Sequence, residues 1–265
     1  MILNETTSYS AVTLPPSETT IWRYVSLAKL LAMLQTRSVF FSKADLFDDG
    51  FEGTFTQGSL SDYATTSGNE LPDDLITLAR WLPCRSFVSC WHVSDVESAA
   101  FWKMYAGSEG AIAIRSSIGA LSTAFPELSK LQDNLLIMQE IRRVRYIDYR
   151  TAHPHINDLT GPLTYKRQAF AFEQEIRVIR QELPTVQAAS RPNGRAIQLG
   201  PAPTKTGLEI AIILDKLVDS IYLAPSSPPW MLQTVKETMG RFGLGKIDCR
   251  QSSLDELPEF GRLDT

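Results

Sequence analysis

Residues 172 to 179 read Phe172-Glu173-Gln174-Glu175-Ile176-Arg177-Val178-Ile179, and whether they form a strand or a helix decides the fold. In a strand, side chains repeat with a period of two. Glu173, Glu175 and Arg177 then share one face, and Phe172, Gln174, Ile176 and Val178 the other. In a helix, Tyr165, Ala169, Phe172, Ile176 and Ile179 fall on one stripe, and Glu173 with Arg177 becomes an ordinary solvated i,i+4 pair. The local pattern permits both, because a short apolar run does not separate the two periods. The choice bears on chemistry. Neighbouring carboxylates disfavour each other's ionisation and can hold a ribose hydroxyl or steer a proton.

Working outward, residues 1–18 are polar, contain Pro15 and Pro16, and read as a flexible leader. Ser26 caps a helix whose apolar positions Leu27, Leu30, Leu31 and Leu34 lie at helical spacing. A short strand at 38–42 precedes an acidic loop, Asp45 to Gly53. Residues 57–71 are rich in Ser, Thr and Gly and read as an exposed loop. Pro72 and Pro83 bracket a helix, and Phe87 to Trp91 form a buried strand. Ser94 and Glu97 make a capping box for a helix through Trp102 and Tyr105, ended by Gly107 and Gly110. Ala111 to Ile114 is a further strand, 116–140 a helix, and 141–147 a strand. Residues 151–163 are loop-like, and a polar loop spans 183–207. Strands are expected at 209–214 and 218–223, a helix at 229–242, and a last strand at 246–250. Strands and helices interspersed without a regular βαβ rhythm imply an α+β fold. The expectation is a single domain over 19–265 with a mixed or split β-sheet flanked by helices.

The totals exclude several classes. A chain of 265 residues with 43% hydrophobic and 21% charged residues has the balance of a globular protein with an ample core. Its net charge of −4 supplies no global basic field for nucleic acid or anionic membrane. The basic run Arg142, Arg143, Arg145 and Arg150 alternates with Val144, Tyr146 and Tyr149, as on the outer face of a strand. Cys84, Cys90 and Cys249 form no C-x-x-C pair, and an odd count argues against a disulfide framework. The N-terminus lacks the pattern of a signal peptide, and no stretch approaches a membrane span, so a reducing cytoplasm is the expected compartment.

The chemistry-bearing motifs are few. His92, His153 and His155 lack the spacing of a zinc site, so no metal is expected. Cys84 and Cys90 read as small core residues. The loop Asp45-Leu46-Phe47-Asp48-Asp49-Gly50-Phe51-Glu52-Gly53 does not match a calcium loop. Its rings suggest a loop anchored by burial, with carboxylates able to cap helices or reach a ligand. No G-x-G-x-x-G or Walker motif occurs, so any nucleotide must be held without a glycine-rich cradle. Trp22-Arg23-Tyr24 offers a cation just before a capped helix: either a phosphate anchor or a surface arginine on a first strand.

Six short motifs come in order: Trp22-Arg23-Tyr24-Val25-Ser26, Phe40 to Gly53, Phe87 to Trp91, Phe101 to Ile114, Val144 to Tyr149, and Lys166 to Ile179. On these, spread over roughly residues 20 to 250, the chain resembles the bacterial family catalogued as domain of unknown function 2971. It departs from that family's usual pattern at Asp48-Asp49-Gly50 and at Trp102-Lys103-Met104-Tyr105. It is also similar to ADP-ribosyltransferases of the Arg-Ser-Glu type, which carry an arginine on the first strand, a serine on a middle strand and an E-x-E on a later one. That resemblance implies NAD as substrate. Arg23 would bind the diphosphate, Ser89 order the site, Glu175 stabilise the oxocarbenium-like state, and Glu173 position an acceptor, with Tyr105 or Trp102 stacking on the nicotinamide. It implies a transferase or glycohydrolase with a defence or toxin role, and a strand that starts near Glu175. The other reading is a non-catalytic interaction or ligand-sensing module, in which the same charges form a structural Arg–Glu network. A small-molecule nucleotide is the partner to expect, and nucleic acid is disfavoured by charge.

Overall fold

The computed structural model describes residues 13–67, 79–105, 110–154, 159–184, 188–191, 194–197, 201–225, 227–254 and 256. Along the chain run β1 (Thr20–Ser26), α1 (Leu27–Thr36), β2 (Ser38–Lys43), α2 (Gln57–Ser67), β3 (Ser86–Val93), α3 (Ala99–Tyr105), β4 (Ala111–Ser117) and α4 (Ile118–Ala124). Then follow β5 (Leu128–Gln132), β6 (Leu135–Arg143), β7 (Arg145–Ile147), β8 (Tyr165–Arg167), β9 (Glu175–Pro184), β10 (Ala188–Arg191) and β11 (Gly194–Ile197). The chain closes with β12 (Gly207–Ala211), α5 (Leu214–Leu217), β13 (Ser220–Leu223), α6 (Pro229–Arg241) and β14 (Asp248–Gln251). The fold is α+β, with parallel and antiparallel strand pairs. Among the described residues no helix is long and apolar enough to cross a membrane.

Two compact units are distinguished. The first, mainly Val39–His92 and Phe125–Ile210, holds the strand order β12-β2-β3-β9-β6-β5. In it β9 is central. It pairs antiparallel with β3 from Ser86↔Gln181 to His92↔Glu175, and with β6 from Leu135↔Pro184 to Arg143↔Ile176. A ladder on each side satisfies its backbone, and the β-branched residues Ile176, Val178 and Ile179 fill a surface buried on both faces. That tertiary pairing resolves the ambiguity of 172–179. The residues up to Glu173 form a 3-10 turn, Gln168–Glu173; Gln174 reverses direction at φ 40°, and Glu175 opens the strand.

The second unit, Ser17–Ser38, Val93–Ala124 and Ala211–Thr265, carries the order β14-β13-β4-β1. Ala111 and Ala113 on β4 leave room for Trp22, Tyr24 and Trp102, which pack as one aromatic cluster with Tyr24 and Trp102 edge to face at 5.1 Å. The Ser26 Oγ accepts the Lys29 amide at 3.3 Å, capping α1, whose Leu30 and Leu34 are buried.

Several expectations are corrected. Residues 57–67 are helical, not loop: the Thr56 Oγ1 accepts the Ser59 amide as a cap, and Ser61, Thr65 and Thr66 return their hydroxyls to carbonyls four residues back. Residues 116–140 are not one helix but α4 followed by the β5–β6 hairpin. Its turn residues Asp133 and Asn134 both take positive φ, as a tight hairpin requires, and Ile137, Gln139 and Ile141 alternate inward. Ser98, not Ser94, caps α3 through the Phe101 amide, while Glu97 takes the Trp102 indole N–H instead of closing a box. The strand expected at 209–214 ends at Ala211, where α5 follows. Residues 1–12 of the leader, Gly107 and most of the Pro72-to-Pro83 helix lie outside the described residues.

Candidate functional site

All parts of the site belong to the first unit. Glu175 and Arg177, two apart on β9, project from one face. Cys90 and His92 are the β3 partners of Arg177 and Glu175 respectively, and so share that face. The acidic loop adds Glu52, β8 adds Lys166, and the end of the 3-10 turn adds Glu173. The Arg177 guanidinium donates to Glu175 at 2.8 Å, to Glu52, and to the Leu163 carbonyl at 2.8 Å, while Phe47 lies 5.4 Å from its carbon. Arg177 is 1% exposed, and its Nε has no hydrogen-bond partner among the described residues. The Lys166 ammonium is ringed by Glu173 at 2.5 Å, Glu52 at 3.1 Å and Glu175 at 3.8 Å.

The acidic loop is placed by its rings and by Asp49. Asp49 accepts the Phe51 amide and forms a two-pronged pair with Arg167, whose guanidinium lies 4.8 Å over the Phe51 ring. Phe51 in turn meets Tyr149 edge to face at 5.2 Å. Of the two rings expected to anchor the loop by burial, Phe47 packs partly buried on Ala44, Val88 and Leu163, whereas Phe51 is 45% exposed and is held instead by Tyr149 and Arg167.

Burial opposes the ionisation of Glu175, but the Arg177 charge and hydrogen bond, with Lys166, outweigh it and hold the carboxyl below its ordinary range. Glu173 goes the other way: burial first, then the Glu175 and Glu52 charges, push it up despite the hydrogen bond from Lys166. Lys166 loses hydration, which favours its neutral form, yet the three carboxylates keep it protonated above its usual value. Burial and the Glu175 charge push the Cys90 thiol well up, leaving it a poor nucleophile although the residue keeps some accessible surface. Burial lowers His92, whose Nδ1 lies 2.6 Å from the Glu173 carbonyl. The Tyr146 hydroxyl receives the Glu175 amide at 2.8 Å, and burial raises its pKa.

The structure therefore brings Glu173 and Glu175 together, on Lys166. It does not bring Ser89 to them. Ser89 pairs in register with Val178, so it points to the opposite face of the β3–β9 ladder; it is fully buried and accepts the Trp91 indole N–H at 3.1 Å. The β3 side chains that meet Glu175 are Cys90 and His92. No family model and no curated protein sequence matches the chain. Arg23 lies in the second unit, between Trp22 and Tyr24 on β1 and hence on the face away from their aromatic cluster. Trp102 is 3% exposed, enclosed by that cluster and bonded to Glu97 at 2.8 Å, so it offers no free face for stacking. Tyr105 ends α3, with its side chain outside the described residues. His153 pairs with Asp62 at 3.0 Å and His155 lies outside the described residues. No group of three or more His, Cys, Asp and Glu arranged for a metal occurs among the described residues.

Sequence reasoning missed three members of the cluster as site residues. Arg177 was legible as sharing the Glu175 face, and Glu52 as a carboxylate of a ring-anchored loop. Lys166 carried no local signal, because only the fold of the 161–173 segment brings it there.

Proposed function

We propose that this chain is a non-catalytic interaction or ligand-sensing module whose E-x-E segment belongs to a structural Arg–Glu network. The observation that carries this reading is the burial of Glu175, 5% exposed and matched by Arg177 and Lys166. A carboxylate that must stabilise a cationic transition state has to reach substrate, whereas here its partners are already inside the protein. Ser89 on the opposite face weakens the convergence that an Arg-Ser-Glu site needs.

The second reading is an NAD-consuming transferase or glycohydrolase of ADP-ribosyltransferase type, within a bacterial, cytoplasmic family resembling domain of unknown function 2971 and with a defence role. One observation favours it. Arg23 lies on the first strand and Ser89 on β3, and the E-x-E ends at the head of β9, directly beside β3. In that case His92 and Cys90, not Ser89, are the β3 side chains beside the catalytic Glu175. Nicotinamide release from NAD by the wild type and by Glu175→Gln, with calorimetry of NAD binding, decides between the two. The module reading expects neither turnover nor NAD binding. Turnover that is lost in Glu175→Gln establishes the enzyme.

A further inference from the structure

β9 carries a second charge cluster on its other face. Arg180 and Glu182 are out of phase with Glu175 and Arg177 along the strand, so they project from the opposite side. Arg180 is the register partner of Phe87 on β3 and of Gln139 on β6, and shares their face. Two cations from distant segments join the pair. Arg85 ends the 3-10 turn Pro83–Arg85, immediately before Ser86, the partner of Gln181, and it feels the Glu182 charge. Lys205, from the segment ahead of β12, donates to Glu182 at 2.8 Å and stands 5.1 Å from the centre of the Phe87 ring. Glu182 is the only carboxylate within ion-pair distance of any of these cations among the described residues. Three cations less one carboxylate leave two positive charges in surplus. The surplus sits where water is scarce: the side chains of Arg180 and Glu182 are 16% and 13% exposed. Arg85 lies 5.3 Å from the Trp81 ring centre and donates to the Pro201 carbonyl, and Arg180 donates to Gln139 at 3.3 Å. In both guanidinium groups the Nε is buried and has no hydrogen-bond partner among the described residues; Glu182, 3.8 Å from the Arg180 Nε, is too far to accept. Burial pushes Arg85 below its ordinary value, and the Glu182 charge offsets only part of that. Buried donors without an acceptor are costly, and an anion that accepts from them removes the cost.

We propose that Arg85, Arg180 and Lys205 form a binding site for a phosphate dianion, free or as the monoester of a small molecule. Charge selects this class. A phosphate monoester carries about −1.5 to −2 charges at neutral pH, which matches the surplus, whereas a single carboxylate leaves one cation unbalanced. The donors also suit it. Two guanidinium groups and an ammonium reach the cluster from three separate segments, and a phosphoryl group offers several strong acceptor oxygens to share among them. Lys205, 41% exposed, puts the cluster within reach of a dissolved ligand. Glu182 works in both directions. It balances part of the charge when no anion is bound and repels the anion when one is, so it lowers the affinity. The site shares no residue with the Glu175 cluster and stands whichever of the two functional readings holds.

Calorimetry of the full chain, titrated with inorganic phosphate, methyl phosphate and acetate at constant ionic strength, tests the site. Both phosphates should bind, and the tighter of the two tells free phosphate from an ester as the source. Arg180→Gln and Lys205→Gln should each weaken phosphate binding about tenfold or more, since each removes a charge-assisted hydrogen bond. Glu182→Gln should tighten it, an effect that a purely structural role for the cluster does not produce. No phosphate binding by the wild type, binding that neither Arg180→Gln nor Lys205→Gln weakens, or acetate bound as tightly as phosphate overturns the proposal. Should Arg180→Gln not fold, Lys205→Gln decides, because that side chain is largely in solvent and its loss spares the core.

Discussion

Arg177 is the residue on which the cluster depends. It is the sole guanidinium bound to both Glu52 and Glu175 among the described residues, and it also donates to the Leu163 carbonyl that lies over the sheet. Replacing it with Met keeps much of the volume but leaves Glu52 and Glu175 to share the single Lys166 charge with Glu173. Removing one partner of a buried ion pair costs about 3–5 kcal/mol, so Arg177→Met should lower the denaturation midpoint by a corresponding amount in urea. Adding Glu52→Gln should recover part of that loss, because it removes one stranded charge. Independent, additive losses in the double variant would contradict a shared network. Cys90 fits the same picture. With its thiol held neutral beside Glu175, it serves as packing between β3 and β9 and not as a nucleophile.

At the scale of elements, those with local signals were legible. α1 was read from the cap at Ser26 and the leucine spacing, and it ends at Arg37 in a left-handed conformation. Ser26→Ala should destabilise the protein by about 1 kcal/mol, measured as a shift in thermal midpoint, because the Lys29 amide loses its acceptor. β3, β4 and α6 were recognised for similar reasons, from β-branched or aromatic runs and from proline at a helix start. The 128–143 region carries alternation, but its hairpin turn is Asp133-Asn134 without a glycine, so the turn signal was missed. α2 is built from Ser, Thr and Gly, which favour loops in isolation. It is helical because Thr56 and Ser59 tie its start to the Ala152 and Pro154 carbonyls, contacts with distant sequence.

At the scale of the whole molecule, the charge cluster should show in the pH dependence of stability. Glu175 is held below its ordinary value, so its contribution is present above that value and is lost as pH falls through the depressed one. Glu173 is raised, so its contribution is present in acid and fades as pH rises through its own titration. Urea unfolding across pH should therefore show an acid-side loss that is absent in Glu175→Gln, which begins less stable at neutral pH. An unchanged acid-side slope in that variant would place the loss elsewhere. The sequence by itself determined the α+β class and the Ser26 cap of α1, because these rest on local periodicity and on a hydrogen bond three residues apart. Only the tertiary structure decided that 175–184 is a central strand, since two neighbouring ladders settle a period that eight residues leave open. It also decided which side chains meet Glu175. A shift of one residue along β3 turns Ser89 away and presents Cys90 and His92, and Lys166 and Glu52 arrive from segments whose distance in sequence no local rule can bridge.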